Sequence, residues 1–204
     1  YRFYDHNDTL LKPIGESLEK VSRIDASAVH PKLQEVNFIT ACDVQNPLFG
    51  NNGAAFIYGP QKGATPDMVL QLDRGLRHFS EKIAEWSGKD IANLPGAGAA
   101  GGMGAGSIWF LNATLKEGVE LILEQSGIKE NIQEFDLVIT GEGKVDQQTL
   151  QGKVVKGLAR YCAPYQVPIA VLCGTLAITP QEAKAAGITY ASSIITKPMT
   201  LEEA

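Results

Sequence analysis

The sequence predicts an α/β protein of two domains, a smaller α+β domain at residues 1–134 followed by a parallel-sheet domain at 135–204. The continuous apolar runs at 137–139 and 169–173 are typical of strands buried on both faces, as parallel sheets require. Helical patterns separate these runs from each other and from a third strand at 191–195. This alternation favours right-handed crossovers and a doubly wound arrangement.

Composition excludes several classes of protein. The net charge of −5, with both signs interspersed over 204 residues, argues against an electrostatic nucleic-acid binder. No apolar run approaches the roughly 20 residues that cross a bilayer. Cys42, Cys162 and Cys173 lie far apart and are odd in number, so we expect reduced, buried thiols in a cytoplasmic protein. Because the chain opens on Tyr1 and closes within an apparent first helical turn, we expect a fragment of a longer protein.

Short elements open the first domain. Residues 2–5 predict a short strand, and residues 10–35 are mostly loop. Residues 36–42 predict a better strand that ends at Asp43. A second apolar stretch at 54–58 is interpreted as its neighbouring strand.

The best-marked helix is predicted between Thr65 and Gly88. Thr65 suits the N-cap, Pro66 the first helical position and Gly88 the C-terminal cap. Spacings of three and four residues predict one buried stripe, formed by Val69, Leu72, Leu76, Phe79, Ile83 and Trp86. Further helices are predicted from about 107 to 116 and from Gly118 onward.

Helix signals also divide the second domain. Residues 153–162 predict a helix between the first two strands. Thr179 and Glu182 form a capping box with Pro180 at the first helical position, and Gly187 is expected to end that helix.

Six glycines lie within the eleven residues 96–106, and the apolar run at 107–111 follows them as a predicted helix. Uncovered amides that open into a helix predict an anion site, here for phosphate. The alternative is a flexible linker, although linkers are usually polar and rich in serine. The spacing of Gly96, Gly98 and Gly101 matches a dinucleotide fingerprint, but no strand precedes it, which disfavours NAD binding.

A polar segment at 141–146 directly follows the first strand of the second domain. Gly141 and Gly143 flank Glu142, Lys144 follows the second glycine, and Asp146 ends the segment. Ligands of open α/β sheets bind at the carboxyl ends of the strands, and magnesium takes one or two carboxylates together with substrate oxygens. The segment therefore predicts a site for Mg²⁺ and phosphate. A solvated turn is the alternative.

Two predicted strand ends in the first domain carry an acid, amides and a lysine. Asp43 and Asn46 flank the end of one strand, and Gln61 and Lys62 follow the other. This combination suits a small polyhydroxylated acid. The alternative that Asp43 and Asn46 are ordinary turn formers stays open.

Four segments together resemble the bacterial glycerate kinase family, type I, the glycerate 2-kinase group. They are residues 41–48 (ACDVQNPL), 59–64 (GPQKGA), 95–102 (PGAGAAGG) and 139–153 (ITGEGKVDQQTLQGK). Their order and separation match the family, and the similarity spans nearly the whole chain. Val155 departs from the proline that the family often has. The upstream glycine-rich and acidic motifs that family members carry are absent from this sequence. We therefore expect a fragment that lacks the N-terminal part and the extreme C-terminus. If those motifs supply part of the site, the fragment would be inactive alone.

The resemblance implies ATP-dependent, Mg²⁺-dependent phosphorylation of D-glycerate to 2-phosphoglycerate in the cytoplasm. It also implies a Rossmann-like domain paired with a smaller α/β domain, with the site in the cleft between them. Glycerate is the expected partner, without nucleic acid or membrane, and a homodimer is left open. The alternatives are a kinase that forms 3-phosphoglycerate, a non-catalytic binder of small phosphorylated acids and an NAD-linked oxidoreductase.

The resemblance assigns roles to the residues already singled out. The catalytic candidates are Asp43, which would orient or deprotonate the substrate hydroxyl, Lys62 and Asp146. Glu142 and Asp146 are the candidate Mg²⁺ ligands. The candidates for binding substrate or phosphate are Asn46, Gln61, Gly96, Gly98, Gly101, Gly102 and Lys153.

Overall fold

The computed structural model describes residues 1–150 and 153–195. The chain forms two compact units, Tyr1–Lys116 and Glu117–Ala204. This division lies earlier than the predicted boundary near residue 134. The reason is that Leu123 and Ile132, on short helices of the intervening segment, belong to the hydrophobic core of the second unit.

Two small sheets belong to the first unit. Strands β1 (Arg2–Tyr4) and β2 (Arg23–Asp25) pair antiparallel, whereas β3 (Ile39–Ala41) and β4 (Thr114–Lys116) pair parallel. The prediction of helix as far as residue 116 is wrong for β4. Asn112 adopts a left-handed conformation with φ of 52° and ends the preceding helix, after which the chain extends beside β3.

The apolar stretch interpreted as a strand is instead a helix, α1 (Ala54–Tyr58). Five apolar residues do not distinguish a buried strand from one helical turn, and here the preceding turn decides. Gly53 donates its N–H to the carbonyl of Gly50 at 2.7 Å, and Ala54 donates to the carbonyl of Leu48 at 3.1 Å. A short 3₁₀ helix, Pro60–Lys62, follows α1.

Helix α2 (Pro66–Ser87) confirms the predicted caps and most of the predicted stripe. The Thr65 hydroxyl accepts the Met68 N–H at 3.3 Å, and Gly88 is left-handed at the C-terminus. Along the stripe, Val69, Leu76 and Ile83 are buried. Trp86, which the pattern assigned to the same stripe, is exposed.

Helix α3 (Ala99–Leu111) contains most of the glycine-rich stretch that was predicted to precede a helix. Its first turn is irregular because Ala100, Gly101 and Gly102 all have positive φ. The core of the first unit is formed around α1, α2 and α3 by Leu48, Ala54, Ala55, Val69, Leu76, Ile83, Ala92, Ala97, Ala105 and Trp109.

The second unit contains the predicted parallel sheet. Strands β5 (Val138–Val145), β6 (Ile169–Leu176) and β7 (Tyr190–Ser193) pair parallel in that order. Strand β5 is longer than predicted, because hydrogen bonding to β6 continues through Val145. Most of the segment at 141–146 is therefore strand, and the prediction that it follows the end of the strand is wrong.

Short helices complete the second unit: α4 (Gly118–Gln125), α5 (Ile128–Asn131), α6 (Gln147–Leu150), α7 (Lys153–Cys162) and α8 (Pro180–Ala185). The capping box of α8 is confirmed, since Thr179 and Glu182 satisfy each other's backbone N–H groups. Helices α4 and α7 cover the core, in which Val155, Leu158, Val171 and Cys173 are buried.

Within the second unit, the described residues cover only one face of this sheet. Val171 and Cys173 of β6 point into the core. Ile139, Leu172 and Tyr190 lie on the opposite face and are 62%, 42% and 59% exposed. The expectation that the first strand is buried on both faces is therefore wrong for the described part of the chain.

Among the helices of residues 1–150 and 153–195, none has the length and apolar character needed to cross a bilayer.

Two glycines of α3 provide a matched test of close packing. A Cβ at Gly104 would lie 2.0 Å from the carbonyl oxygen of Gly96, whereas one at Gly106 would meet open space. We expect Gly104→Ala to lower the free energy of unfolding by about 1–3 kcal/mol, because backbone must shift. Gly106→Ala should change it by less than about 1 kcal/mol, since alanine favours helix. Urea denaturation compares the two, and equal losses would contradict the packing argument.

Candidate active site

The glycine-rich turn lies against the segment that follows β3. Gly98 donates its N–H to the carbonyl of Asn46 at 2.9 Å. A Cβ on Gly98 would lie 2.1 Å from the carbonyl oxygen of Pro47, so no larger residue fits without a backbone shift. The Gly98 amide, predicted to bind phosphate, is thus engaged within the protein, and the observed role of Gly98 is packing.

Gly96 is also buried by this contact. Its φ is +90°, and a Cβ there would lie 2.7 Å from the Cys42 sulfur. The Cys42 thiol in turn donates to the carbonyl of Val44 at 3.4 Å. Close approach of two backbone segments therefore accounts for glycine at this position.

Gly101 and Gly102 differ from the buried pair. Both are left-handed, but a Cβ on Gly101 would meet nothing within 4 Å. The N–H of Gly102 donates to the carbonyl of Gly98 at 3.3 Å. Of the four glycines predicted to bind phosphate, Gly101 is the exposed one.

A hollow of about 320 Å³ in the first unit brings Gly101 together with Lys62 and Tyr58. Lys62 reaches it from the end of the 3₁₀ helix, where left-handed Gly63 turns the chain. The remaining walls come largely from apolar residues of α1 and α2. This volume suits a small ligand whose orientation is fixed by a few polar groups.

Tyr58 connects this hollow to Asn46. Its hydroxyl donates to Asn46 Oδ1 at 2.7 Å, while Asn46 Nδ2 donates to the carbonyl of Asn52 at 2.9 Å. The side-chain amide of Asn46 is therefore oriented, and one N–H and one lone pair remain available. The sequence pattern predicts no role for Tyr58, because residues 54–58 are typical of a strand when taken alone, whereas the structure makes them a helix.

Asp43 and Gln61 lie outside the lining of the hollow. Asp43 is exposed just beyond Cys42, whose N–H donates to the carbonyl of Lys116 and extends the pairing of β3 with β4. Gln61 is exposed in the 3₁₀ helix. Asp43 thus follows the carboxyl end of a parallel strand pair, where ligands of α/β proteins commonly bind.

The second unit carries the predicted metal ligands on and just after β5. Glu142 is half-buried on the strand, and Lys144 Nζ lies 2.9 Å from Asp146 Oδ2. The Asp146 side chain is 25% exposed. Lys153 is the first residue of α7, but its side chain falls outside the described part of the chain.

Contacts at Glu182 tie the segment after β5 to α8. The Gln147 side-chain amide donates to Glu182, whose carboxylate also accepts the Thr179 N–H at 2.7 Å. The hydrogen bond from the Thr179 backbone N–H is the main reason that the pKa of Glu182 lies below its ordinary value.

Cys173 is the neighbour of Glu142 on the adjacent strand β6. Burial raises the pKa of the Cys173 thiol, so this cysteine is suited to packing rather than nucleophilic chemistry.

Within residues 1–150 and 153–195, no group of three or more histidine, cysteine or acidic side chains is arranged to hold a metal ion. Glu142 and Asp146 supply two carboxylates. In ligand type each fits Mg²⁺, which commonly takes one or two protein carboxylates and completes its shell with water and phosphate oxygens.

Comparison with known proteins gives one consistent family. The model of the glycerate kinase family matches residues 1–204. A glycerate kinase of Halalkalibacterium halodurans is 46% identical over 196 residues, which cover 95% of this chain and 52% of that protein. The glycerate 2-kinase of Escherichia coli is 42% identical over 190 residues, covering 93% of this chain and 50% of that protein.

A solved structure agrees with these relatives. The crystal structure described as glycerate kinase 2 of Salmonella typhimurium LT2 is similar with a TM-score of 0.83 and 37% identity. The match covers 100% of this chain and 52% of that one. The chain thus spans about half the length of the relatives that it matches, and its α/β fold is confirmed.

Proposed function

The chain belongs to the glycerate kinase family, and from that membership we propose that the whole protein transfers the γ-phosphoryl group of ATP to a hydroxyl of D-glycerate. We propose 2-phosphoglycerate as the product, which the name of the Escherichia coli relative supports. Cytoplasmic location, and glycerate as partner rather than nucleic acid or membrane, are part of the same proposal. A homodimer stays open.

The hollow that Lys62, Gly101 and Tyr58 line is the observation that carries this proposal. The Lys62 ammonium, an exposed glycine turn and a hydroxyl suit a small anion that also offers hydroxyl groups. Asn46, oriented by Tyr58, adds a donor and an acceptor at the same side chain.

Phosphoryl transfer depends on positioning and charge neutralisation more than on covalent chemistry by the protein. We assign Lys62 and the Gly101–Gly102 turn to phosphate or to the glycerate carboxylate. Asp43 orients or deprotonates the substrate hydroxyl, and Asn46 and Gln61 hydrogen-bond the substrate.

ATP chemistry of this kind uses a divalent cation to neutralise charge on the phosphate oxygens. We propose that Glu142 and Asp146 hold Mg²⁺. The ion pair with Lys144, whose Nζ lies 2.9 Å from Asp146 Oδ2, limits the rotation of that carboxylate.

A turnover assay tests the function. The full-length protein is incubated with ATP, Mg²⁺ and D-glycerate, ADP release is followed, and the product is identified by ³¹P NMR. We expect ADP release that requires glycerate, and 2-phosphoglycerate as the product. Formation of 3-phosphoglycerate would correct the position of transfer. Binding of phosphorylated acids without turnover would instead support the non-catalytic alternative.

Replacement of Lys62 tests the hollow. In the full-length enzyme, Lys62→Ala should lower kcat/KM for glycerate by on the order of a hundredfold, because a charge-assisted contact to the substrate is lost. Lys82→Ala is the control, since Lys82 pairs with Glu85 at 2.8 Å on α2. Steady-state kinetics that are equal for both variants would remove Lys62 from the site.

Replacement of Asp146 tests the metal assignment. Asp146→Ala should lower kcat/KM by on the order of a hundredfold or more and raise the Mg²⁺ concentration needed for half-maximal rate. Asp136→Ala, at a loop position before β5, is the control. Near-normal kinetics and an unchanged Mg²⁺ dependence in Asp146→Ala would assign the ion to other ligands.

A further inference from the structure

We propose that Asp73 is a positioning residue for Asn46, acting through the turn between Leu48 and α1. The proposal rests on the function proposed above, since it concerns a side chain assigned there to glycerate. It adds a residue that neither the motifs nor the hollow identifies.

Asp73 carries a carboxylate at a buried position of α2, where apolar side chains are usual. It lies on the buried side of α2, between Val69 and Leu76, and only 8% of the residue is exposed. Burial of a carboxylate is unfavourable unless hydrogen bonds or charges compensate it. A specific contact must therefore account for an acid here.

That contact is with the backbone of the turn. Asp73 Oδ1 accepts the Gly50 N–H at 2.6 Å, a charge-assisted bond to a glycine whose φ is +88°. Arg77 Nη2 lies 3.7 Å from Asp73 Oδ2, and its guanidinium stacks 4.3 Å from the centre of the Phe49 ring. Arg77 thus contacts the turn at Phe49, and Asp73 contacts it at Gly50.

The turn held in this way supplies the groups that orient Asn46. The Asn52 carbonyl accepts from Asn46 Nδ2, and Tyr58, on the helix that the turn begins, donates to Asn46 Oδ1. A side-chain amide rotated by half a turn would exchange its donor and acceptor, so these two contacts fix what Asn46 presents to a ligand. Without Asp73, the Gly50 N–H loses its acceptor and the turn loses its anchor.

Kinetics of full-length variants test the proposal. Asp73→Ala should lower kcat/KM for glycerate by about tenfold or more, with KM for ATP unchanged, and Asp73→Asn should recover most of the loss because its amide oxygen still accepts from Gly50. Asp67→Ala, at an exposed position in the first turn of α2, is the matched control. Asp73→Leu, which suits the apolar stripe, replaces Asp73→Ala if the alanine variant does not fold.

A double-mutant cycle separates positioning from a purely structural role. Asn46→Ala should cost much less in the Asp73→Ala background than in the wild type, because Asn46 is already misoriented there. Additive losses, or a lowered Tm with wild-type glycerate kinetics, would overturn the proposal.

A second readout does not depend on turnover. The ¹⁵N side-chain amide signals of Asn46, assigned by their loss in Asn46→Ala, should be sharp in the wild type and Asp73→Asn but shifted or broadened in Asp73→Ala. Unchanged signals in Asp73→Ala would overturn the proposal even if the protein does not phosphorylate glycerate. Wild-type protein without turnover, but with the expected signals, would count against the proposed function alone.

Discussion

The contact between Gly98 and the chain at Asn46 and Pro47 sets how closely the glycine-rich turn approaches the segment after β3. The hydrogen bond from Gly98 to Asn46 and the absence of a Cβ facing Pro47 allow two backbone segments to approach as closely as paired strands do. One of these segments leads from β3 toward Asn46, and the other leads into the left-handed turn of α3. Backbone packing therefore brings together segments of the candidate site that are distant in sequence. The side chains of the site project from backbone that these contacts already hold in place.

Much of the fold could be predicted because the deciding signals are local. Helix α2 has a cap, a proline at its first position and a long series of apolar residues spaced three and four apart, and the parallel sheet follows from apolar runs that alternate with helices. The failures are short elements whose state depends on distant partners. Residues 54–58 are helical because of the turn before them, and β4 is a strand because β3 lies beside it.

The candidate site was predictable in its residue types but not in its connections. Lys62 and Gly101 were singled out from composition, and the structure places both on one hollow. Tyr58 and Asp73 were missed, since their roles depend on hydrogen bonds to groups 12 and 23 positions away. One signal did exist for Asp73: a carboxylate on the apolar stripe of a helix is unusual and requires a compensating partner.

The half-covered sheet of the second unit has a practical consequence for handling this chain. Among the described residues, Ile139, Leu172 and Tyr190 form an exposed apolar surface, whereas parallel sheets ordinarily have such surfaces covered. Charge repulsion from a net −5 opposes association through it only at low ionic strength. We therefore expect association through this apolar face, rather than unfolding, to limit the protein concentration and salt at which the chain by itself stays in solution.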